Sequence, residues 1–323
     1  MMGNQELFIS SHFTIEQLDD GIFAALHREA GWAVANAGIV DLGDFSLVFD
    51  TFITVQAAND LKKAAERLTG KPVRLVVNSH YHNDHIWGNQ VFESQAQIIS
   101  SDDTLLLIKT EGKEEYDSYK EGSLPRLREL RSEFLKANNE SRRKELSTWI
   151  SYYQGLVETF PILSVRYPNL TFNNRMKIHG TDLEIELISY KGSHTGCDTV
   201  LYIPSRQILF TADLLFVRCH PYLADGDPDK LLSTLDEIKS FHPKKLVPGH
   251  GPVGGIEDLR SMKEYIYHCD QTGKEIFEKD QDETVINEAI IPEQYSNWIL
   301  SNFYTTNLRF FYNRHREKNQ VTI

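Results

Sequence analysis

Short apolar runs alternate with one long helical pattern along the first hundred residues of the chain. Trp32–Ala35 and Ser46–Phe49 are predicted as strands on either side of a turn at Asp41–Asp44, because Gly43 tolerates the positive φ of a tight hairpin. Apolar residues then recur at helical spacing over Val55–Leu68, and the glycine and proline that follow predict the end of this helix.

From residue 102 to residue 171 the pattern is predominantly helical, because Lys, Arg and Glu are dense and strand patterns nearly vanish. Four leucines are predicted to lie near one helix face: Leu124, Leu127, Leu130 and Leu135. The segment is therefore predicted to be a helical insertion, and we favour an amphipathic helix packed on the body of the protein. A mobile lid over a functional site is the alternative.

Strand patterns return after the insertion. Leu183–Ile188 alternates as a half-buried strand, and Thr199–Ile203 and Gln207–Phe210 flank a turn, which predicts a hairpin. Asp227–Asp229 places a proline just inside the start of the next helix. We predict a main domain formed by residues 1–101 and 172–255, an insertion at 102–171, and a helical extension at 256–323 packed on the core.

Composition and charge exclude several classes of partner. The chain has 323 residues, of which 41% are hydrophobic and 25% charged, and its formal net charge is −12 at pH 7. This charge argues against binding to nucleic acid or anionic membranes, and no apolar run is long enough to span a bilayer. The three cysteines lack disulfide-framework or zinc-knuckle spacing and the N-terminus lacks secretory-signal features, so we expect a cytoplasmic protein.

The aromatic C-terminal segment offers a candidate homodimer surface.

The apolar strand Val73–Val77 leads into a cluster of three histidines and an aspartate between residues 80 and 85. Histidine is the commonest metal ligand in proteins, and imidazoles with a carboxylate suit zinc, iron or manganese. Side chains two residues apart in an extended segment point the same way, so His80 and His82 can bind one ion. Asp84 and His85 then turn toward a neighbouring position, and one loop can serve two metal ions.

Three further metal-competent side chains lie at predicted strand ends. His194 lies within Gly192–Gly196, Asp213 follows the second strand of the predicted hairpin, and His250 lies within Pro248–Gly251. Small residues beside these side chains allow the backbone and the ligand atoms to approach a metal closely. The pattern therefore predicts a site assembled from several loops at one rim of the fold.

In this order the donors resemble the metal-binding motifs of the metallo-β-lactamase superfamily. The segments Ala37–Asp41 and Phe49–Thr51 are similar to the opening hairpin of that family, with its buried aspartate at Asp50. The resemblance runs from about residue 30 to residue 255, apart from the insertion. It implies an α/β fold in which two mixed sheets form a four-layer αββα sandwich, with the main domain as the catalytic domain.

The resemblance also implies two divalent metal ions, zinc foremost, with iron or manganese as alternatives. The implied ligands are His80, His82 and His194 for one ion, Asp84, His85 and His250 for the other, and Asp213 as the bridge. A metal-bridging hydroxide would attack the substrate, with Asp84 and Asp213 as the catalytic carboxylates. Asp50 is expected to brace the histidine loop without binding a metal itself.

Asp213 distinguishes the branches of the superfamily. True β-lactamases of this fold typically have cysteine or serine at this position, whereas a bridging aspartate is characteristic of glyoxalase II and acyl-homoserine lactonases. The resemblance therefore implies hydrolysis of a thioester, a lactone or a similar ester of a small molecule. The chain departs from the family at Ala212, where glycine is usual. On the loop that follows, His220 and Tyr222 are candidate substrate-binding residues, with a structural turn as an equal alternative.

Rival functions remain open on the sequence. A phosphodiesterase or a β-lactam hydrolase would use the same donors to cleave a different bond. An iron-dependent persulfide dioxygenase would be an oxygen-using member of the fold and normally holds one metal ion. A scaffold without activity is a further alternative, but the complete set of seven donors argues against it.

Overall fold

The computed structural model describes residues 7–279 and 283–321 of the chain. Two β-sheets face each other, and helices cover their outer surfaces. The strands are β1 Phe13–Asp19, β2 Ile22–His27, β3 Ala37–Asp41, β4 Ser46–Phe49, β5 Val73–Val77, β6 Gln97–Ser101, β7 Leu170–Phe172, β8 Arg175–His179, β9 Glu184–Lys191, β10 Cys197–Ile203, β11 Ile208–Phe216 and β12 Lys245–His250. The α-helices are α1 Val55–Thr69, α2 Asn83–Ile86, α3 Asp102–Lys109, α4 Glu111–Lys136, α5 Glu140–Thr159, α6 Pro228–Ser240, α7 Ile256–Glu278 and α8 Asn302–Val321.

The first sheet contains seven strands in the order β1 to β7. Strands β1 to β4 pair antiparallel, whereas β4 to β7 pair parallel. The hairpin predicted around Gly43 is confirmed between β3 and β4, and this glycine has a φ of 107°. The prediction of a strand at Trp32–Ala35 is wrong. Val34 has a φ of 71°, which an extended strand does not allow, and β3 begins only at Ala37.

The second sheet contains five strands in the order β12-β11-β10-β9-β8. Strands β11 and β12 pair parallel, and the predicted hairpin is confirmed as the antiparallel pair β10 and β11. The two sheets share a core in which the rings of Phe49 and Phe210 have centroids 6.0 Å apart. A Cβ at Gly38 would lie 2.6 Å from the Phe210 ring, so glycine allows the sheets to approach closely here.

Helices on both outer faces complete the αββα sandwich. The predicted helix is confirmed as α1, where the Thr54 hydroxyl accepts a hydrogen bond from the N–H of Ala57 at 3.2 Å. Its buried residues, including Leu61, pack on the first sheet. On the second sheet α6 and α7 bury Leu235 and Met262 against the residues of β11. Each sheet therefore has one face in the shared core and one face under helices.

The segment predicted as a helical insertion contains the helices α3, α4 and α5, but its last residues, 170 and 171, belong to β7, which pairs with β6 in the first sheet. The predicted leucine face is only partly correct: Leu127 and Leu130 are buried, whereas Leu124 and Leu135 are 42% and 82% exposed. At about 100° of rotation per residue, the two exposed leucines point to a different side of α4 from the two buried ones.

Aromatic side chains hold the insertion against the histidine loop. The ring of Trp87 lies 5.9 Å from Tyr116, 6.2 Å from Tyr119 and 5.5 Å from Phe160, measured between ring centroids. Trp87 is only 1% exposed, and Leu156 of α5 is buried in the same cluster. These contacts favour helices packed on the body, and the mobile lid remains the alternative.

The C-terminal segment packs on the second sheet through α7 and α8, with Tyr265, Tyr304 and Phe311 buried in the core beneath them. Within residues 7–279 and 283–321, no helix is both long and apolar enough to cross a membrane. Residues 1–6, where secretory-signal features are missing from the sequence, lie outside the described part of the chain.

Candidate metal centre

Several strand ends bring the predicted donors to one edge of the sandwich. Strand β5 leads into the histidine loop, the β9–β10 loop carries His194, β11 carries Asp213 and β12 ends at His250. Because β11 and β12 are parallel neighbours, Asp213 and His250 leave the second sheet at the same edge. The N–H of Thr199 donates to the carbonyl of Ser79 at 2.8 Å and so joins the second sheet to the histidine loop.

Three histidines and Asp213 form the first group of donors. Nδ1 of His82 lies 3.1 Å from Nε2 of His80 and 3.3 Å from Nε2 of His194. Oδ2 of Asp213 lies 3.3 Å from Nε2 of His194 and 4.0 Å from Nε2 of His80. One ligand atom from each of the four residues lies within 4.8 Å of the others, which is a spacing that suits a single cation.

Asp84, His85 and His250 form the second group, with ligand atoms that also lie within 4.8 Å of one another. Two imidazoles lie beside Asp84: Nε2 of His250 is 3.4 Å from Oδ2 of Asp84, and Nε2 of His85 is 3.7 Å from Oδ1 of Asp84. Oδ1 of Asp213 lies 3.2 Å from Nε2 of His85, and Oδ2 lies 3.4 Å from Nε2 of His250. Asp213 therefore contacts both groups. The structure divides the seven donors as the family resemblance implies.

Unpaired donor atoms in this cluster fit bound cations. Nε2 of His85 and Oδ1 of Asp213 are buried and lie 3.2 Å apart without the geometry of a hydrogen bond, and neither has another hydrogen-bond partner within the described part of the chain. Buried polar atoms almost always have a partner, and cations would provide one here. Five imidazoles and two carboxylates form a donor set suited to zinc and to other borderline divalent metals.

Asp213 and the surrounding histidines shift one another's pKa values. Burial alone would raise the pKa of Asp213, but the neighbouring His250 and His85 lower it well below its usual value. Burial also lowers the pKa of His80 well below its usual value, and His85 and His82 add to this effect. The carboxylates Asp213 and Asp84 raise the pKa values of His85 and His250. Because a metal binds the ionised carboxylate and the neutral imidazole, Asp213 and His80 favour the metal-binding forms, whereas His85 and His250 would release protons on binding.

Two small residues make room for the Asp213 carboxylate. A Cβ at Gly249 would lie 1.7 Å from Oδ1 of Asp213, so only glycine fits there. Ala212 has a φ of 46°, in the left-handed region that favours glycine. This backbone conformation explains why glycine is usual at the position of Ala212 in the family that the sequence resembles.

Comparison with protein families matches residues 30–250 to the family described as the metallo-beta-lactamase superfamily. This match covers more than half of the chain. The chain belongs to this superfamily. It therefore has the metallo-beta-lactamase fold and a candidate metal site at the seven donors.

Comparison with individual proteins gives more distant likenesses. The chain is 23% identical over 230 residues to a linear primary-alkylsulfatase of Pseudomonas sp. (strain ATCC 19151), a match that covers 67% of this chain and 41% of that protein. The chain thus spans less than half the length of that relative.

Solved structures of metallo-β-lactamases share the fold. An enzyme from Pontibacter korlensis has a TM-score of 0.56 and 16% identity, covering 78% of this chain and 97% of its own. FIM-1 from Pseudomonas aeruginosa, in its mono-zinc form, has a TM-score of 0.56 and 15% identity, covering 78% of this chain and 94% of its own. These solved structures therefore share the four-layer sandwich with this chain.

Asp50 lies directly behind the superfamily's histidine loop. Its carboxylate accepts hydrogen bonds from the N–H and the hydroxyl of Ser79, both at 2.8 Å, and lies 2.7 Å from Nδ1 of His85. Asp50 is 1% exposed and has a φ of 61°. It therefore holds the loop and orients the His85 ring without taking a place among the seven donors, as the sequence predicts.

Asp225 contacts one of the candidate donors, His82, although no sequence motif indicates this contact. Its Oδ2 lies 2.8 Å from Nε2 of His82 and accepts a hydrogen bond from the hydroxyl of Tyr81 at 2.6 Å. His27, at the end of β2, also lies close to the site, with its ring centroid 6.0 Å from that of His250. Neither residue belongs to a local motif, and only the folded chain brings them to the site.

The two candidate substrate-binding residues have different positions. His220 is fully buried, and its Nδ1 lies 2.9 Å from the hydroxyl of Tyr265 on α7. An enclosed side chain cannot meet a substrate, so the interpretation of His220 as a substrate contact is not supported. Tyr222 is half-buried, with its ring centroid 6.2 Å from that of His82 and its hydroxyl 3.4 Å from Oδ1 of Asp225. Tyr222 thus lies beside the donor cluster.

Proposed function

We propose that the protein is a dinuclear hydrolase that cleaves an ester-like bond, such as a thioester or a lactone, in a small molecule. The observation that carries this proposal is the position of Asp213, whose carboxylate lies within 3.4 Å of donors in both groups. A single carboxylate shared by two donor groups suits a bridge between two cations. Zinc is our first candidate, with iron or manganese as alternatives.

When bound, two divalent ions supply Lewis acidity and a water that ionises near neutral pH. The chain contributes the positions and the charges. Asp213 is 5% exposed in its side chain and keeps its negative charge between the two groups, whereas Asp84 is 13% exposed and faces more solvent. Asp84 is thus the more accessible of the two carboxylates to a substrate at this site.

Charges around the donors favour a substrate that is neutral at the reacting bond. In the described part of the chain, no lysine or arginine forms an ion pair or hydrogen bond with any of the seven donor residues. On α4, the half-buried Glu115 accepts a hydrogen bond from the N–H of Asn83 at 3.2 Å, and burial raises its pKa to about 7. These features favour a carboxylic ester or thioester over a phosphodiester. We propose Tyr222, whose ring lies beside that of His82, as a substrate contact.

Sulfate-ester hydrolysis is the second candidate, because the chain matches a linear primary-alkylsulfatase over 230 residues. The match covers 41% of that enzyme, so the substrate does not transfer with the likeness. A lack of basic contacts at the donors counts against an anionic ester, and we therefore place it second.

A substrate panel tests the proposed reaction. The purified, zinc-loaded protein is offered a thioester, a lactone, an alkyl sulfate, a phosphodiester and a β-lactam, each at matched concentrations. We expect the highest kcat/KM for the thioester or the lactone. Highest activity on the alkyl sulfate would establish the second candidate, and highest activity on the phosphodiester or the β-lactam would contradict the proposed bond. Persulfide with dissolved oxygen serves as a separate assay for the dioxygenase alternative.

Metal removal should abolish this activity. Protein purified without chelator is expected to contain two equivalents of divalent metal, and exhaustive chelation should reduce turnover to background. Adding back two equivalents should restore turnover and raise the unfolding temperature, because ligands that bind only the folded state stabilise it. Metal analysis and differential scanning fluorimetry measure both effects. One equivalent of iron would favour the dioxygenase, and no bound metal would favour a scaffold.

A further inference from the structure

Asp225 lies on the loop between β11 and α6, where two segments meet at its carboxylate. Its Oδ2 is shared by Nε2 of His82 at 2.8 Å and the hydroxyl of Tyr81 at 2.6 Å. Hydrogen bonds to an ionised acceptor are short and strong, so this contact fixes both partners closely. His82 and Tyr81 are neighbours in the chain, and the carboxylate therefore holds the histidine loop at two consecutive residues.

The ring of His82 has only one orientation that serves the first donor group. Its Nδ1 faces Nε2 of His80 and Nε2 of His194, at 3.1 and 3.3 Å. For Nδ1 to bind a metal, the remaining ring proton must be on Nε2, which is the atom that faces Asp225. The carboxylate thus accepts the proton of the metal-binding tautomer and restricts rotation of the ring.

The Asp225 loop is itself attached to the loop that carries another donor. The N–H of Asp227 donates to the carbonyl of Gly192 at 2.9 Å, next to the turn that presents His194. A Cβ at Gly226 would lie 1.9 Å from the carbonyl oxygen of Ser193, so the two loops are in direct contact. A shift of Asp225 would therefore disturb two of the three histidines in the first group.

We propose that Asp225 is a positioning residue that sets the metal affinity of the first donor group, formed by His80, His82, His194 and Asp213, without contacting the ion. The inference rests on the proposed function only in taking His82 as a ligand through Nδ1. The second donor group has its own support, because Asp50 lies behind His85. Each group thus has one carboxylate that orients one imidazole: the buried Asp50 for the second group and the more exposed Asp225 for the first.

Metal titration tests this inference directly. Zinc is titrated into the metal-free wild type and the variants Asp225→Ala, Asp225→Asn and Tyr81→Phe, in competition with a chromophoric chelator that resolves two binding steps. We expect Asp225→Ala to weaken one step by about 10- to 100-fold, the range seen when such outer contacts are removed. The other step should stay within about threefold. Asp225→Asn keeps an oxygen that can accept a hydrogen bond from Nε2 of His82, so its loss of zinc affinity should be smaller. Tyr81→Phe should weaken zinc binding at this step by less than about tenfold, because the substitution removes a single hydrogen bond.

The control is Asp229→Asn, on the first turn of α6, because Asp229 forms an ion pair with Arg314 and has no contact with a donor residue. It should bind zinc like the wild type. Thermal unfolding of the metal-free variants checks that each one is folded. Equal weakening of both steps, or wild-type affinity in Asp225→Ala, would overturn the positioning role alone. A wild type that bound no metal would overturn the proposed function and this inference together.

Discussion

Replacing Asp213 with asparagine should reduce kcat/KM for the most active substrate of the panel by about 10²- to 10⁴-fold. The loss of the bridging carboxylate should remove several kcal/mol of the stabilisation that bound metal ions give to the transition state, and about 1.4 kcal/mol corresponds to a tenfold change in rate. Asparagine has nearly the same shape, so the contact with Gly249 and the surrounding strands should survive. It has one oxygen and no charge, and cannot bridge two cations as the carboxylate of Asp213 does. We therefore expect the bound metal to fall from two equivalents to one or fewer, measured together with kcat/KM.

The matched control for this variant is Asp236→Asn. Asp236 lies on α6, is 63% exposed in its side chain and forms an ion pair with Lys263. An exposed pair of this kind contributes little to stability, so turnover and metal content should remain close to wild type. Unchanged turnover in Asp213→Asn would contradict the bridging role. Lost turnover with two equivalents of metal still bound would show that Asp213 acts on the substrate and not as the bridge.

The donors were predictable because the signals that mark them are local. His80 and Asp84 lie in one short motif after a buried strand, and His194, Asp213 and His250 each lie beside small residues at a strand end. Such positions depend on the ends of strands, which hydrophobic patterns identify well. The division of the donors into two groups came from the family resemblance, and the structure reproduces it in its interatomic distances.

Other parts of the fold lacked a local signal. Strand β2 is an almost continuous apolar run, Ile22–His27, which is buried on both faces and does not show the alternation that identifies a strand. Trp32–Ala35 is apolar enough to suggest a strand, but it bends at Val34 to bring the chain around to β3. The leucines of α4 share helical spacing, but their burial depends on which side of α4 faces α5.

The contacts that support the donors were the least predictable. Asp225 is one of many acidic residues, and only the loop contact at Gly192 and the position of His82 bring it to the metal centre. His220 was selected because it follows Asp213 along the chain, but its side chain turns to the opposite side and packs against Tyr265. Nearness in sequence to a strand end does not determine which way a loop side chain points.

Replacing Asp50 with alanine should cause the largest loss of stability of any change described above. Its carboxylate accepts two hydrogen bonds from Ser79 and lies 2.7 Å from His85, in a fully buried position. Removing one partner of a buried, charged group leaves the other groups unpaired, which costs about 3–5 kcal/mol. Alanine also adopts the φ of 61° found at Asp50 less readily than aspartate does. We expect this loss in equilibrium denaturation of the metal-free protein.

The same substitution should weaken metal binding at the second donor group, because the His85 ring loses the acceptor that fixes its orientation. Asp50→Asn separates the two effects, since asparagine tolerates the positive φ and can still accept a hydrogen bond from Ser79 or His85. It should therefore retain more stability than Asp50→Ala. Asp44→Ala, an exposed carboxylate on the β3–β4 turn, should change the free energy of unfolding by no more than about 0.5 kcal/mol. An Asp50→Ala protein as stable as this control would show that the His85 loop is held by the surrounding packing alone, and that the buried carboxylate contributes to metal binding only.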